Sequence, residues 1–157
     1  MKIGLDSNVL VASVKKPGEP YHDAALELSR KMARENVSSI GSALILIEIP
    51  GALASSTNMP IEKIYEVCVS IQESFNLKIM GFDSYIEQAR ELMFEFRDLK
   101  SKWQIGSADF HHMATSIQEG CDAFVTTDEK HLLRPLCREA LEKRIKILNP
   151  NQALELS

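Results

Sequence analysis

Short apolar runs alternate with longer stretches of helical spacing along this chain, and the runs tend to end in small polar or acidic residues. The first, Lys2 to Leu5, leads into Asp6-Ser7-Asn8 and predicts a buried strand ending in a polar turn, with Asp6 at its carboxyl end. Pro17-Gly18-Glu19-Pro20 marks a loop, after which Ala24, Ala25, Leu28 and Met32 carry a helix over Tyr21 to Arg34. A second strand is expected around Val37 to Gly41. Ser42 is placed to cap a helix over Ala43 to Ser55, and Pro50-Gly51 predicts a kink or a restart inside it. Met59-Pro60 opens a helix to Phe75, and Leu77 to Met80 reads as a strand. Phe82 to Leu99 has no internal Gly or Pro and is expected to be one helix, ended by the basic turn Lys100-Ser101-Lys102. Ile105 to Glu119 forms the next helix, with Gly120 suited to a left-handed cap. Ala123 to Thr126 is then a buried strand delivering Thr127 and Asp128 to its carboxyl end. A short helical region over His131 to Glu142 precedes a last strand, Arg144 to Leu148, stopped by Asn149-Pro150.

Strands alternating with helices in this way predict an α/β fold: a three-layer α/β/α sandwich around a roughly five-stranded parallel sheet. With 157 residues and 45% apolar content, a single domain over residues 1–157 can bury its own core without disulfide or metal staples. No apolar run approaches the roughly 18 residues of a membrane span. The amino terminus also lacks the pattern of a signal peptide, so a cytoplasmic location without a membrane partner is expected. Cys68, Cys121 and Cys137 are odd in number and form no C-x-x-C pair, which argues against a disulfide framework or a cysteine zinc site.

A net charge of −4 argues against nucleic-acid binding through a broad positive field. Between Lys130 and Lys146, however, six basic residues face only Glu139 and Glu142, a pattern that fits a phosphate-tracking surface or a solvated helix face. Trp103, beside Lys100 and Lys102, could anchor a loop or stack a base.

The chemistry lies in four separated acids, Asp6, Glu48, Asp109 and Asp128. Open α/β sheets bind ligands beyond the carboxyl ends of their strands, which sends Asp6 and Asp128 to one crevice. Phe110, Met113, Ala114 and Ile117 mark a core stripe, with Asp109, His112 and Ser116 along its edge, so the first turn of that helix can aim Asp109 at the sheet end. Glu48 is the only charge in an apolar stretch and, where buried, needs a cation or hydrogen-bond partners. Ser7, Asn8, Thr126 and Thr127 add short polar groups at the same end, and His112 is a candidate to orient a ligand or to pack. His111 and His112 point too far apart along a helix to share one ion, so zinc is not expected.

These residues resemble the PIN-domain ribonucleases. The likeness is carried by Ile3-Gly4-Leu5-Asp6-Ser7-Asn8-Val9-Leu10, by Glu48 within Ile47-Glu48-Ile49-Pro50-Gly51-Ala52-Leu53, and by Ser107-Ala108-Asp109-Phe110-His111-His112-Met113-Ala114-Thr115. It continues through Gly120-Cys121-Asp122-Ala123-Phe124-Val125-Thr126-Thr127-Asp128 and spans essentially the whole chain in order and spacing. The resemblance implies that Asp6, Glu48, Asp109 and Asp128 are both the catalytic residues and the ligands of one or two Mg2+ or Mn2+ ions. It further implies endonucleolytic hydrolysis of RNA, single-stranded or structured, leaving a 5′ phosphate and a 3′ hydroxyl, and an inhibitory antitoxin partner. An all-oxygen donor set independently favours hard cations over zinc.

Two other readings compete with this one. A catalytically quiet member of the same fold would act by binding RNA or protein. An aspartate-nucleophile phosphatase would also place Asp6 after a strand, although a second aspartate is expected two residues later, where this chain has Asn8. Apolar positions around Ile61 to Ile71 fit either a homodimer contact or a core face.

Overall fold

A computed structural model describes residues 1–156. Five strands, β1 (Lys2–Leu5), β2 (Ser38–Ser42), β3 (Leu77–Met80), β4 (Ala123–Val125) and β5 (Lys146–Leu148), form one sheet in the order β3-β2-β1-β4-β5. Every neighbouring pair is parallel. The chain therefore builds outward from β1 through β2 and β3, then crosses back to add β4 and β5 on the other side. That reversal opens a crevice at the carboxyl ends of β1 and β4, where Asp6 and Asp128 follow their strands.

Helices cover both faces of this sheet, completing the expected three layers. One side is packed by α1 (Ser7–Val14), α2 (His22–Glu35), α3 (Ile45–Ser56), α4 (Ile61–Ser74) and the short α9 (Pro150–Leu154), around a core that includes Leu5, Leu28, Leu53 and Val125. The other side carries α5 (Ile86–Glu95), α6 (Arg97–Trp103), α7 (Ser107–Gln118) and α8 (Pro135–Leu141), around Phe110, Met113, Phe124 and Ile147. Phe124 and Val125 serve opposite cores because successive strand residues point to opposite faces. Of the stripe expected on α7, Phe110, Met113 and Ala114 are buried and Ile117 is half-buried.

Gly4 sets the position of α7. A methyl group at Gly4 would lie 1.8 Å from Ser116 Oγ and 2.5 Å from Ser116 Cβ, so only a residue without Cβ lets this helix approach β1 as closely as it does. Gly120 adopts φ +65° and ends α7 in the left-handed conformation expected of it.

Several local expectations are corrected. The polar segment expected as a turn after β1 is the start of a helix: the Asp6 carboxylate accepts from Asn8 N and caps α1. Ser42 is not a helix cap but the last residue of β2, and α3 begins later behind Leu44 without a side-chain cap. Pro50 causes no restart, since α3 runs unbroken from Ile45 to Ser56. The carbonyl deprived of a partner by Pro50 belongs to Leu46, which is 52% exposed and can be hydrated. The segment from Phe82 to Leu99 is not one helix. A 3-10 turn at Phe82–Ser84, α5 and α6 are separated at Tyr85 and Phe96, both buried against the second core. Lys100-Ser101-Lys102 lies inside α6, which ends at Gln104 with φ 57°. Asn149-Pro150 both stops β5 and opens α9, where Asn149 and Gln152 cap each other.

On α4, Ile64 and Ile71 face the core while Ile61, Tyr65 and Val69 are exposed, so the apolar run expected there serves two faces. No helix among the described residues is long and apolar enough to cross a membrane.

Candidate acidic active site

The carboxyl ends of β1 and β4 are tied together by one buried hydroxyl. Thr126 Oγ1 donates to Asp6 Oδ2 at 2.8 Å and accepts from Asp128 N at 3.1 Å and from Asn8 Nδ2 at 3.4 Å. Asn8 Oδ1 in turn accepts from Thr127 N at 3.1 Å, so Thr127 contributes its backbone amide to this link. Asp6 is 4% exposed, and its second oxygen takes longer contacts from Ser7 Oγ at 3.4 Å and Asn8 N at 3.5 Å. Burial raises the Asp6 carboxyl above its usual range, more than His112, Thr126 and the Asn8 amide lower it.

Asp128 is held by the turn that follows it. Its Oδ1 accepts from Lys130 N at 3.1 Å and His131 N at 3.0 Å, and His131 Nδ1 lies 3.1 Å from Oδ2. His131 thus contacts an acid although its place in the sequence carried no spacing signal. Asp109, in the first turn of α7, accepts from Gly106 N at 2.8 Å. Its carboxyl is raised to about 6, first by burial and then by the neighbouring charges of Asp6 and Asp128, while the Gly106 amide and His112 act against the shift. Asp109 is therefore electrostatically coupled to both strand-end acids.

Glu48 reaches the same region from α3 and has a dedicated partner. His112 Nε2 meets Glu48 Oε2 at 2.7 Å, and His112 Nδ1 meets Ser42 Oγ at 2.9 Å. Only 2% exposed as a residue, His112 would be driven neutral by burial, but Glu48, Asp6 and Asp109 together raise its pKa. Glu48 moves the other way: burial raises it, and the hydrogen bond and charge of His112, helped by the Ser7 hydroxyl, lower it overall. Both directions favour a charged pair. His112 accordingly serves Glu48, not Asp109 beside it on the helix edge, and Ser42 completes the chain instead of capping α3. Ser116 Oγ bonds the His112 carbonyl at 2.9 Å and takes no part in the acid cluster.

The structure thus brings Asp6, Asp109 and Asp128 into one electrostatic neighbourhood, with Glu48 joined to it through Asp6 and His112. It does not set them as a finished coordination shell: among the described residues, no three His, Cys, Asp or Glu side chains converge as a metal site, and each of the four carboxylates contacts a protein donor. The donor chemistry nevertheless fits a hard divalent cation. All four groups offer carboxylate oxygens, and Asp6 and Asp109 are raised first by burial, a cost that a bound cation would offset.

A family model described as PIN domain matches residues 3–135. The chain belongs to the PIN domain family. This PIN domain is similar in fold to VapBC2 from Rickettsia felis, solved bound to a DNA fragment from its promoter, with TM-score 0.61 and 18% identity over 95% of this chain and 98% of that one. It is also similar to FitAcB from Neisseria gonorrhoeae, with TM-score 0.61 and 20% identity over 99% of this chain and 100% of that one. FitAB bound to an IR36 DNA fragment aligns with TM-score 0.59 and 20% identity, covering 96% of this chain and 95% of that one. A comparison with curated proteins returned no match. In this PIN domain the sheet order reverses between β1 and β4; Asp6 and Asp128 follow these two strands, and Glu48 and Asp109 lie in the first turns of α3 and α7.

Proposed function

We propose that this PIN domain is a divalent-cation-dependent endoribonuclease acting on single-stranded RNA, and that it is the toxin of a toxin–antitoxin pair. The observation that carries the reading is the placement of three acids: Asp6 and Asp128 follow β1 and β4 and are tied together by Thr126, and Asp109 opens α7, where burial and these two charges push its carboxyl up to about 6. The family favours nuclease chemistry, and the likeness to VapBC2 and FitAB supports a protein partner.

Asp6, Asp109 and Asp128 would hold Mg2+ or Mn2+, with Glu48 taking a second ion or water. When bound, one or two such ions supply positive charge against the scissile phosphate and its departing 3′ oxygen. Thr126 and Asn8 keep the β1 and β4 ends at fixed spacing, so a cation has only to draw the Asp6 and Asp128 carboxylates away from their protein donors and not to move the strands. His112 holds Glu48 ionised through Oε2, and Glu48 orients the attacking water for in-line displacement. The products carry a 5′ phosphate and a 3′ hydroxyl.

A catalytically quiet binding module is the competing reading, favoured by the engagement of every one of the four carboxylates with protein donors. The phosphatase reading loses support, because Asn8 is occupied in joining β1 to the β4 turn. The exposed α4 face at Ile61, Tyr65 and Val69 is where a second copy would pack in a homodimer.

The deciding experiment incubates purified protein with a pool of unstructured and structured RNAs in Mg2+, Mn2+ or chelator, beside Asp109→Asn. Metal-dependent cutting that disappears in the variant is expected. A folded wild-type protein that cuts nothing in either metal, yet binds RNA, would establish the quiet module.

A further inference from the structure

On the β4 side the acidic cluster is bordered by a groove of about 380 Å3 lined by Lys102, Trp103, Lys130, His131, Arg134 and Glu129. It adjoins Asp128, because two of its lining residues, Lys130 and His131, donate their backbone amides to Asp128 Oδ1. Lys102, Lys130 and Arg134 are exposed, and the one acid among these residues, Glu129, accepts a hydrogen bond from the Tyr21 hydroxyl. A chain of net charge −4 thus gathers three cations beside carboxylates that would otherwise repel a phosphodiester strand.

The groove also holds the only tryptophan. Trp103 ends α6, Arg134 precedes α8, and the guanidinium carbon lies 4.6 Å from the indole centre. That contact holds one face of the guanidinium against the ring, while Arg134 as a residue is exposed to solvent. Guanidinium planes and aromatic rings are the surfaces on which unpaired bases stack. A base inside a duplex offers no free face, so the matching ligand is an unpaired strand.

We infer that this groove binds the single-stranded RNA flanking the scissile phosphate: Arg134, backed by Trp103, stacks an unpaired base, while Lys102 and Lys130 pair with adjacent phosphates and lead the strand to Asp128. The identity of the strand as RNA rests on the nuclease reading; the capacity of the groove to bind an unpaired strand does not.

Because Trp103 is the sole tryptophan, its emission reports on this groove alone. A short unstructured RNA is titrated into the full-length protein in chelator, so that cleavage cannot intervene, and DNA of the same sequence is titrated in parallel. A saturable change in emission is expected, with tighter binding of RNA than of DNA and affinity that falls with salt. Arg134→Ala weakens binding about tenfold. Arg134→Lys, which keeps the charge but not the plane, weakens it as well. Lys130→Ala reduces the salt slope by about one, and Lys63→Ala, an exposed lysine on α4, leaves affinity unchanged.

RNA that is cut, or bound, without altering Trp103 emission and equally well by Arg134→Ala overturns the groove and leaves the nuclease reading standing. An emission change with the expected Arg134 dependence, in a protein that cuts no RNA under any metal, supports the groove and removes the nuclease. Preferential binding of DNA overturns the assignment to RNA, and retained affinity in Arg134→Lys overturns the stacking.

Discussion

Asp109 and Glu48 are both partly buried carboxylates of one site, yet their surroundings push them in opposite directions. Asp109 keeps its proton up to about pH 6 in the folded protein, against an ordinary value of 3.8. Its folded pKa is the higher one, so the native state binds the extra proton between these values and stability falls as pH rises through them. The loss reaches up to about 3 kcal/mol and persists above pH 6. Asp109→Asn removes the charge and keeps an oxygen for the Gly106 amide. In chelator near pH 7.5 this variant is expected to be more stable than wild type by about 1–3 kcal/mol, with the gap closing near pH 4; identical urea midpoints at both pH values would show that no such charge strain exists. The Glu48–His112 pair has the reverse sense. Glu48 is lowered from 4.5 and His112 raised from 6.5, so the pair stabilises between those limits. Its contribution is lost as pH falls through the lowered Glu48 value or rises through the raised His112 value. His112→Ala leaves Glu48 unpaired and is expected to cost about 2 kcal/mol near pH 7. The ring resonances of His112 should titrate above 6.5 by NMR, and a midpoint at or below that value contradicts the pairing.

At the scale of elements, the close approach of α7 to β1 at Gly4 connects packing to chemistry, since α7 carries both Asp109 and His112. Gly4→Ala places a methyl group 1.8 Å from Ser116 Oγ, so α7 must shift. A loss of about 1–3 kcal/mol is expected, as for overpacked cores, together with a loss of cleavage larger than that destabilisation explains in a protein still folded at the assay temperature. Adding Ser116→Gly removes both clashing atoms and should recover most of the stability in a double-mutant cycle; purely additive effects would mean that the two positions do not meet. The elements themselves were legible to different degrees. Lys2–Leu5 and Leu77–Met80 are strands from end to end as their apolar runs indicate. Helix α1 escaped notice because Val9, Leu10, Ala12 and Ser13 are all buried, which leaves no one-sided stripe to detect. The break of the expected helix at Tyr85 and Phe96 likewise follows from burying both rings in the second core, a demand absent from local propensity.

For the whole molecule, the order β3-β2-β1-β4-β5 decides that acids from distant parts of the chain share one crevice. A cation bound there stabilises only the folded chain, so melting should rise by about 5–10 °C when Mg2+ replaces chelator at about a hundred times its dissociation constant. Asp109→Asn should reduce that rise, and equal melting of wild type in Mg2+ and chelator would remove the metal from the proposal. The sequence by itself determined the α/β class, the parallel sheet and the placement of Asp6 and Asp128 beyond strand ends. These follow from apolar periodicity and turn chemistry, which are written within a few neighbouring residues. Only the tertiary structure decided the partners: Thr126 with Asp6 across 120 positions, His112 with Glu48 across 64, and Arg134 over Trp103. Such contacts depend on how elements pack, and a side chain's local spacing does not record which distant group will relieve its charge or fill its hydrogen bonds.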